Sequence, residues 1–305
     1  KGAGLAMTDN SNNVLIGYGA MDAADSGEEW NVMIGYGVGT SINNSGADAN
    51  IAIGPNCMIG GSGDLSYCLA MGDESLKSTG ANDHTGTIAI GHNALMACTT
   101  GGGSTGGNLA LGYTALTALT TGAGNIAIGY QSLLEHTTGS RNIAIGYGAM
   151  DHTAGDSTKA PNSSDNIFMG YDAGGGDWAA DQTNGRNIGI GSYVMDADMD
   201  DANKNIGIGY NALTDLTEGD SNVCIGGSAG ANITTGSNNI IFGPLAGDLM
   251  TTTSNTVLIG NSAGTAMSAG STTGDGTVAV GSSALAALTS GAGNVAIGFE
   301  ALKEH

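Results

Sequence analysis

Residues Asn125–Leu133 read NIAIGYQSL, and seventeen residues on Asn142–Met150 read NIAIGYGAM. With the central glycine as position zero, the phrase aligns on Gly17, Gly35, Gly54, Gly72, Gly91, Gly112, Gly129, Gly146, Gly170, Gly191, Gly209, Gly226, Gly243, Gly260, Gly281 and Gly298, sixteen copies spaced 17 to 24 residues apart. A fixed period in this range marks a repeat array in which each copy is one structural unit.

Positions −3 and −1 are apolar in every copy, as in Val14 and Ile16 or Ile126 and Ile128. Side chains alternate along a strand, so these two share one face, expected to be the inside of a coil. Position −2 lies on the other face, yet it too is apolar and mostly small. Examples are Ala52, Ala89, Ala127, Ala144, Gly189, Gly207 and Ala296. A strand apolar on both faces is buried on both, so this column is expected to be the interface with further copies of the chain. Positions +3 and +4 (Ala94 and Leu95, Ser132 and Leu133) read as a second, shorter inward segment. Asparagine dominates position −4, where stacked amides can hydrogen-bond along a column. Turn-rich runs such as Thr120–Gly122 and Thr137–Gly139 join the copies.

The expected architecture is all-β, a parallel β-solenoid (β-roll) of about sixteen rungs, a rod roughly 75 Å long at ~4.8 Å per rung. Residues 1–12 form a lead-in or degraded rung, and 13–305 one repeat domain. Longer connections near 96–107, 151–165, 174–186 and 265–276 all follow position +4, which places them on one flank; the middle two should make a lateral bump. The chain begins without Met and ends within a repeat, which reads as a piece of a longer protein.

The net charge is −21, with only seven Lys plus Arg. Such a chain repels nucleic acid and anionic membrane surfaces. No stretch approaches the ~20 apolar residues of a membrane span. Cys57 and Cys68 fall on consecutive rungs, which leaves a disulfide between them open. Cys224, at position −2, reads as an inert small apolar residue.

Candidate sites are few. Asp196, Asp198, Asp200 and Asp201 (DADMDD) are candidate oxygen ligands for Ca2+. Trp178 and Trp30, in polar connections, are candidate ligand anchors. Tyr18, Tyr36, Tyr113, Tyr130, Tyr147, Tyr171 and Tyr210 at position +1 are either an exposed stripe for sugar stacking or a packed ladder. There is no H-E-x-x-H and no C-x-x-C, and no nucleophile motif stands out. Asp156 and Asp177, in neighbouring inserts, are the place where a carboxylate pair for glycan hydrolysis would lie.

The phrase N-[IV]-A-I-G-x-x-[AS], as in Asn125–Ser132 and Asn294–Ala301, resembles the head repeats of YadA-like trimeric autotransporter adhesins. With the TTG turn added, the unit looks more like repeats of bacteriophage tail-fibre proteins. The resemblance covers Asn13 to Leu302 and implies a homotrimer of parallel β-rolls. It also implies an extracellular, non-enzymatic fibre segment that binds a cell-surface glycan or protein receptor. The adhesin head is the second reading. A tailspike-like polysaccharide-degrading enzyme is the alternative from another class.

Overall fold

The computed structural model describes residues 2–304 except 25–26, 44–45, 62, 81–82, 98–105, 154–162, 179–182 and 268–273. The chain divides into two compact units, Lys1–Tyr147 and Gly148–His305. Both are parallel β-solenoids, and no α-helix occurs among the described residues.

The first unit contains ten short strands: β1 (Val14–Ile16), β2 (Val32–Ile34), β3 (Ile51–Ile53), β4 (Leu65–Ser66), β5 (Leu69–Met71), β6 (His84–Thr85), β7 (Ile88–Ile90), β8 (Leu109–Leu111), β9 (Ile126–Ile128) and β10 (Ile143–Ile145). Eight of them, all but β4 and β6, stack as one parallel sheet. The repeat fixes its register: position −3 pairs with −3 and −1 with −1, as in Ile143 with Ile126 and Ile145 with Ile128. Strands β4 and β6 form a small second parallel ladder that the repeat did not announce. The second unit repeats the main sheet with β11 (Ile167–Met169), β12 (Ile188–Ile190), β13 (Ile206–Ile208), β14 (Val223–Ile225), β15 (Ile240–Phe242), β16 (Val257–Ile259), β17 (Val278–Val280) and β18 (Val295–Ile297).

The two faces of the strand are the reverse of the expectation. Position −2 points into the coil: Ala52, Ala89, Ala127 and Ala144 are 0% exposed, Gly189 and Gly207 are buried, and Ala296 is 3% exposed. None of them can be an interface with another copy, because the chain's own coil already covers them. The −3 and −1 side chains point outward instead. Positions +3 and +4 join −2 inside: Ala94, Leu95, Ser132 and Leu133 are fully buried.

The interior is filled by a trade of volume between −2 and +4. Where −2 is Ala or Gly, +4 is Leu or Met, as in Ala52 with Met58, Ala127 with Leu133 and Gly207 with Leu213. Where −2 is larger, +4 is Gly in five rungs: Met33 with Gly39, Phe168 with Gly174, Cys224 with Gly230, Ile241 with Gly247 and Leu258 with Gly264; the first rung, where Leu15 is only half-buried, carries Leu15 with Met21. A Cβ at Gly174 would lie 2.8 Å from Phe168 Cδ1, and one at Gly247 3.0 Å from Leu258 Cδ1. A close-packed core has no room for both.

Beside this core runs an asparagine ladder. The Asn205 Nδ2 donates to Gly219 O at 2.8 Å and to Asn187 Oδ1 at 3.2 Å, while its Oδ1 accepts from Asn222 N at 2.9 Å. The motif repeats at Asn31, Asn50, Asn125, Asn142, Asn222 and Asn239, all buried. Each amide therefore ties one rung to the next and to its own turn, leaving no unpaired cost.

Position zero is glycine for two reasons. Its φ lies between +127° and +150° in every rung, a region open only to glycine. Its α-hydrogen also faces the next rung: a Cβ on Gly209 would sit 2.5 Å from Gly226 O. Gly227, by contrast, has open space around the Cβ position and no positive φ. We therefore expect Gly209→Ala to cost about 3–5 kcal/mol and Gly227→Ala less than about 1 kcal/mol, read as the shift in urea midpoint. Equal shifts would contradict this packing.

Candidate functional site

The outward columns define the surface with the clearest functional character. All thirty-two residues at −3 and −1 are Ile, Val, Leu, Met or Phe, and none is charged. Ile51 and Ile240 are each 42% exposed, and Ile16, Met71, Leu111, Ile190, Phe242 and Ile259 are exposed as well. Stacking buries each residue against its neighbours above and below, and among the described residues the outer side stays partly open. In sequence the connecting loops leave after +4 and return before −4.

The tyrosines at +1 border that face and settle the choice between stripe and ladder. Tyr113 and Tyr130 stack with centroids 5.3 Å apart at 8°, and Tyr130 and Tyr147 at 4.9 Å and 10°. His92 extends the stack onto Tyr113 at 5.3 Å. Tyr18 and Tyr36 form a separate pair at 5.4 Å and 7°. The rings pack on one another and remain about half exposed. In the second unit Tyr171 and Tyr210 meet Tyr193 edge-on instead.

Trp178 is not a ligand anchor. It is fully buried and packs edge-to-face on Phe168, with centroids 5.7 Å apart. The indole found more apolar surface to bury on the scaffold than a loop tip offers. Trp30 is 59% exposed with φ 57° and remains accessible. Asp177 is exposed beside His152, Nδ1 to Oδ1 3.4 Å, and its N–H donates to Asp198 Oδ1 at 2.8 Å. Asp156 lies outside the described residues, as do Cys98 and much of the inserts, so the proposed carboxylate pair has no geometry.

The DADMDD run does not act as one ligand set. Asp198 caps the Asp177 backbone, Asp201 Oδ1 accepts from Asn203 Nδ2 at 3.0 Å, and Asp200 and Asp201 face a different cavity of about 330 Å³ shared with Glu218 and Asp220. No group of three or more His, Cys, Asp or Glu among the described residues is arranged to hold a metal ion. Asp196 instead joins Asp151 and Asp172, carboxylates brought together from three rungs. Burial first, then the neighbouring Asp172, raises the Asp196 carboxyl to about 6. Burial also raises Asp151 to about 6, with His152 opposing and Asp172 adding.

Cys57 and Cys68 are not bonded to each other: Cys57 Sγ lies 3.0 Å from Ser75 Oγ, and Cys68 Sγ donates to His84 O at 2.8 Å. Burial pushes both thiols up to about 11, which leaves them inert at neutral pH. Cys224 is buried as a small apolar residue. Three strings carry the letters G-x-S-x-G: GGSTG at 102–106, all but its last residue outside the described residues, and GGSAG (Gly226–Gly230) and GNSAG (Gly260–Gly264). The latter two are the repeat's own turn, with Ser228 and Ser262 at +2 and φ 55°. A nucleophile elbow requires a strand-to-helix turn, and Ser262 Oγ meets only Asn261 Oδ1, at 3.1 Å. No helix among the described residues is long and apolar enough to cross a membrane.

No family model, curated protein or solved structure matches the chain.

The carboxylate cluster has a pH signature. Groups raised in the fold from about 3.8 to about 6 add stability below pH 3.8 and lose it as pH rises through 6. Asp196→Asn should therefore raise the melting temperature at pH 7, with the gain shrinking as pH falls from 6 toward 4. In the first unit, burial holds His84 and His136 down at about 4, so stability there is lost as pH falls from 6.5 to 4. A pH-independent difference between Asp196→Asn and the parent would count against the cluster.

Proposed function

We propose that the chain is a non-enzymatic, extracellular fibre segment that works as a homotrimer and attaches to a cell surface, with a phage tail fibre as the first reading and a bacterial adhesin head as the second. One observation carries the self-association: the charge-free apolar face at −3 and −1, present in every rung and partly exposed among the described residues. A second copy of the chain is the natural cover. The face repeats with the same period along each unit, so a parallel copy in register meets identical columns at every rung. Its uniform lack of charge also keeps two acidic chains from placing carboxylates against each other. Three copies rather than two follows from the resemblance to the fibre and adhesin repeats.

The resemblance also supplies the attachment role.

Light scattering tests the assembly. The expected particle is three times the 29.9 kDa chain. Ile128→Lys together with Ile208→Lys, both outward and outside the core, should reduce it to one chain while leaving the monomer folded by circular dichroism. A parent of one chain mass would overturn the proposal, as would an unchanged mass in the double variant.

A further inference from the structure

We propose that a groove on the first two rungs is a binding site for a neutral glycan. The residue at +2 follows each Tyr, and in most rungs it carries a side chain that fills the space beside the ring: Asn93, Thr114, Gln131 or Asn211. In rungs one and two it is glycine, Gly19 and Gly37, with φ +66° and +63°. Two consecutive side chains are thereby missing. The result is an open cavity of about 420 Å³ with Tyr18 and Tyr36 on one side and Asp22 and Thr40, the +5 residues, on the other. Asn56, the +2 residue of the third rung, closes one end, its Oδ1 only 3.1 Å from where a Gly37 Cβ would stand.

The lining decides the ligand class. The volume lies in the roughly 300–1,000 Å³ range of small-molecule sites. Two stacked tyrosine rings, half exposed, turn a stepped apolar edge to the groove with hydroxyls at its rim. A carboxylate, a carboxamide and a hydroxyl face it, and these are partners for the hydroxyl groups of a polyol. An apolar ligand would leave the Asn56 carboxamide and the Thr40 hydroxyl without a partner in the groove. An anionic ligand would meet Asp22 and the strongly negative chain. A pyranose, with an apolar C–H face and a ring of neutral hydroxyls, matches both walls. The groove opens beside the apolar −3 and −1 columns rather than on them. The assignment gives the attachment role a ligand class and rests on that role to this extent.

Gly37→Asn is the sharp test. Asparagine already occupies +2 in the same left-handed conformation at Asn93 (φ 56°) and Asn211 (φ 55°), so the backbone accepts it while its side chain fills the groove. Saturation-transfer NMR would be run on the full chain with lactose, maltotriose, triacetylchitotriose and mannotriose, and with sialyllactose as the anionic probe. The expected result is transfer from tyrosine ring protons to at least one neutral sugar. That transfer should fall at least fivefold in Gly37→Asn and in Tyr36→Ala, with melting temperature unchanged in the former. The site is overturned by no transfer to any neutral sugar, by undiminished transfer in Gly37→Asn, or by a preference for sialyllactose. Particle mass measured on the same samples separates failure of the groove from failure of the fibre reading.

Discussion

Each rung approaches the next so closely at position zero that the two backbones touch with nothing between them. The carbonyl of one glycine fills the place where a Cβ of the preceding glycine would be. This contact dictates the rest. It sets the strand register, because only glycine can stand opposite glycine, and so it aligns −3 with −3 and −1 with −1. Aligned columns in turn allow the asparagine amides to hydrogen-bond from rung to rung and the +1 rings to stack.

The register also explains why the interior is so thin. A coil pinned by backbone contact at one corner leaves space for about one large side chain per rung. Beyond the first rung, that side chain comes from −2 or from +4 and not from both: Phe168 against Gly174, but Ala127 against Leu133. Small residues at −2 thus belong inside, next to a large +4 partner. Their smallness had suggested close approach of another copy, whereas it reflects the volume already claimed by Leu or Met on the same rung.

With −2 inside, alternation forces −3 and −1 outside, and most of the repeat's Ile and Val lie on its surface. For a monomer this is an unusual distribution, since Ile and Val are among the most often buried residue types. The acidic connections and the apolar face are thereby separated, one available to solvent and the other to a partner of matching character. Function, on this reading, divides along the same line: assembly on the sheet face, ligand contact on the turn side where Gly19 and Gly37 open a groove.

The sequence by itself determined the rung count, the strand positions, the glycine register and the asparagine ladder, because each is a local property repeated at a fixed period. It also held the size reciprocity of −2 and +4, a signal that both columns share one interior and that the reading of single columns passed over. Only the tertiary structure decided which strand face turns inward. Alternation gives two faces but no sign, and here both are apolar, so hydrophobicity alone could not choose. Tertiary structure likewise sent Trp178 down onto Phe168 and gathered Asp151, Asp172 and Asp196. Those contacts join rungs separated by connections of unequal length, and only the folded stacking of the rungs sets where such residues meet.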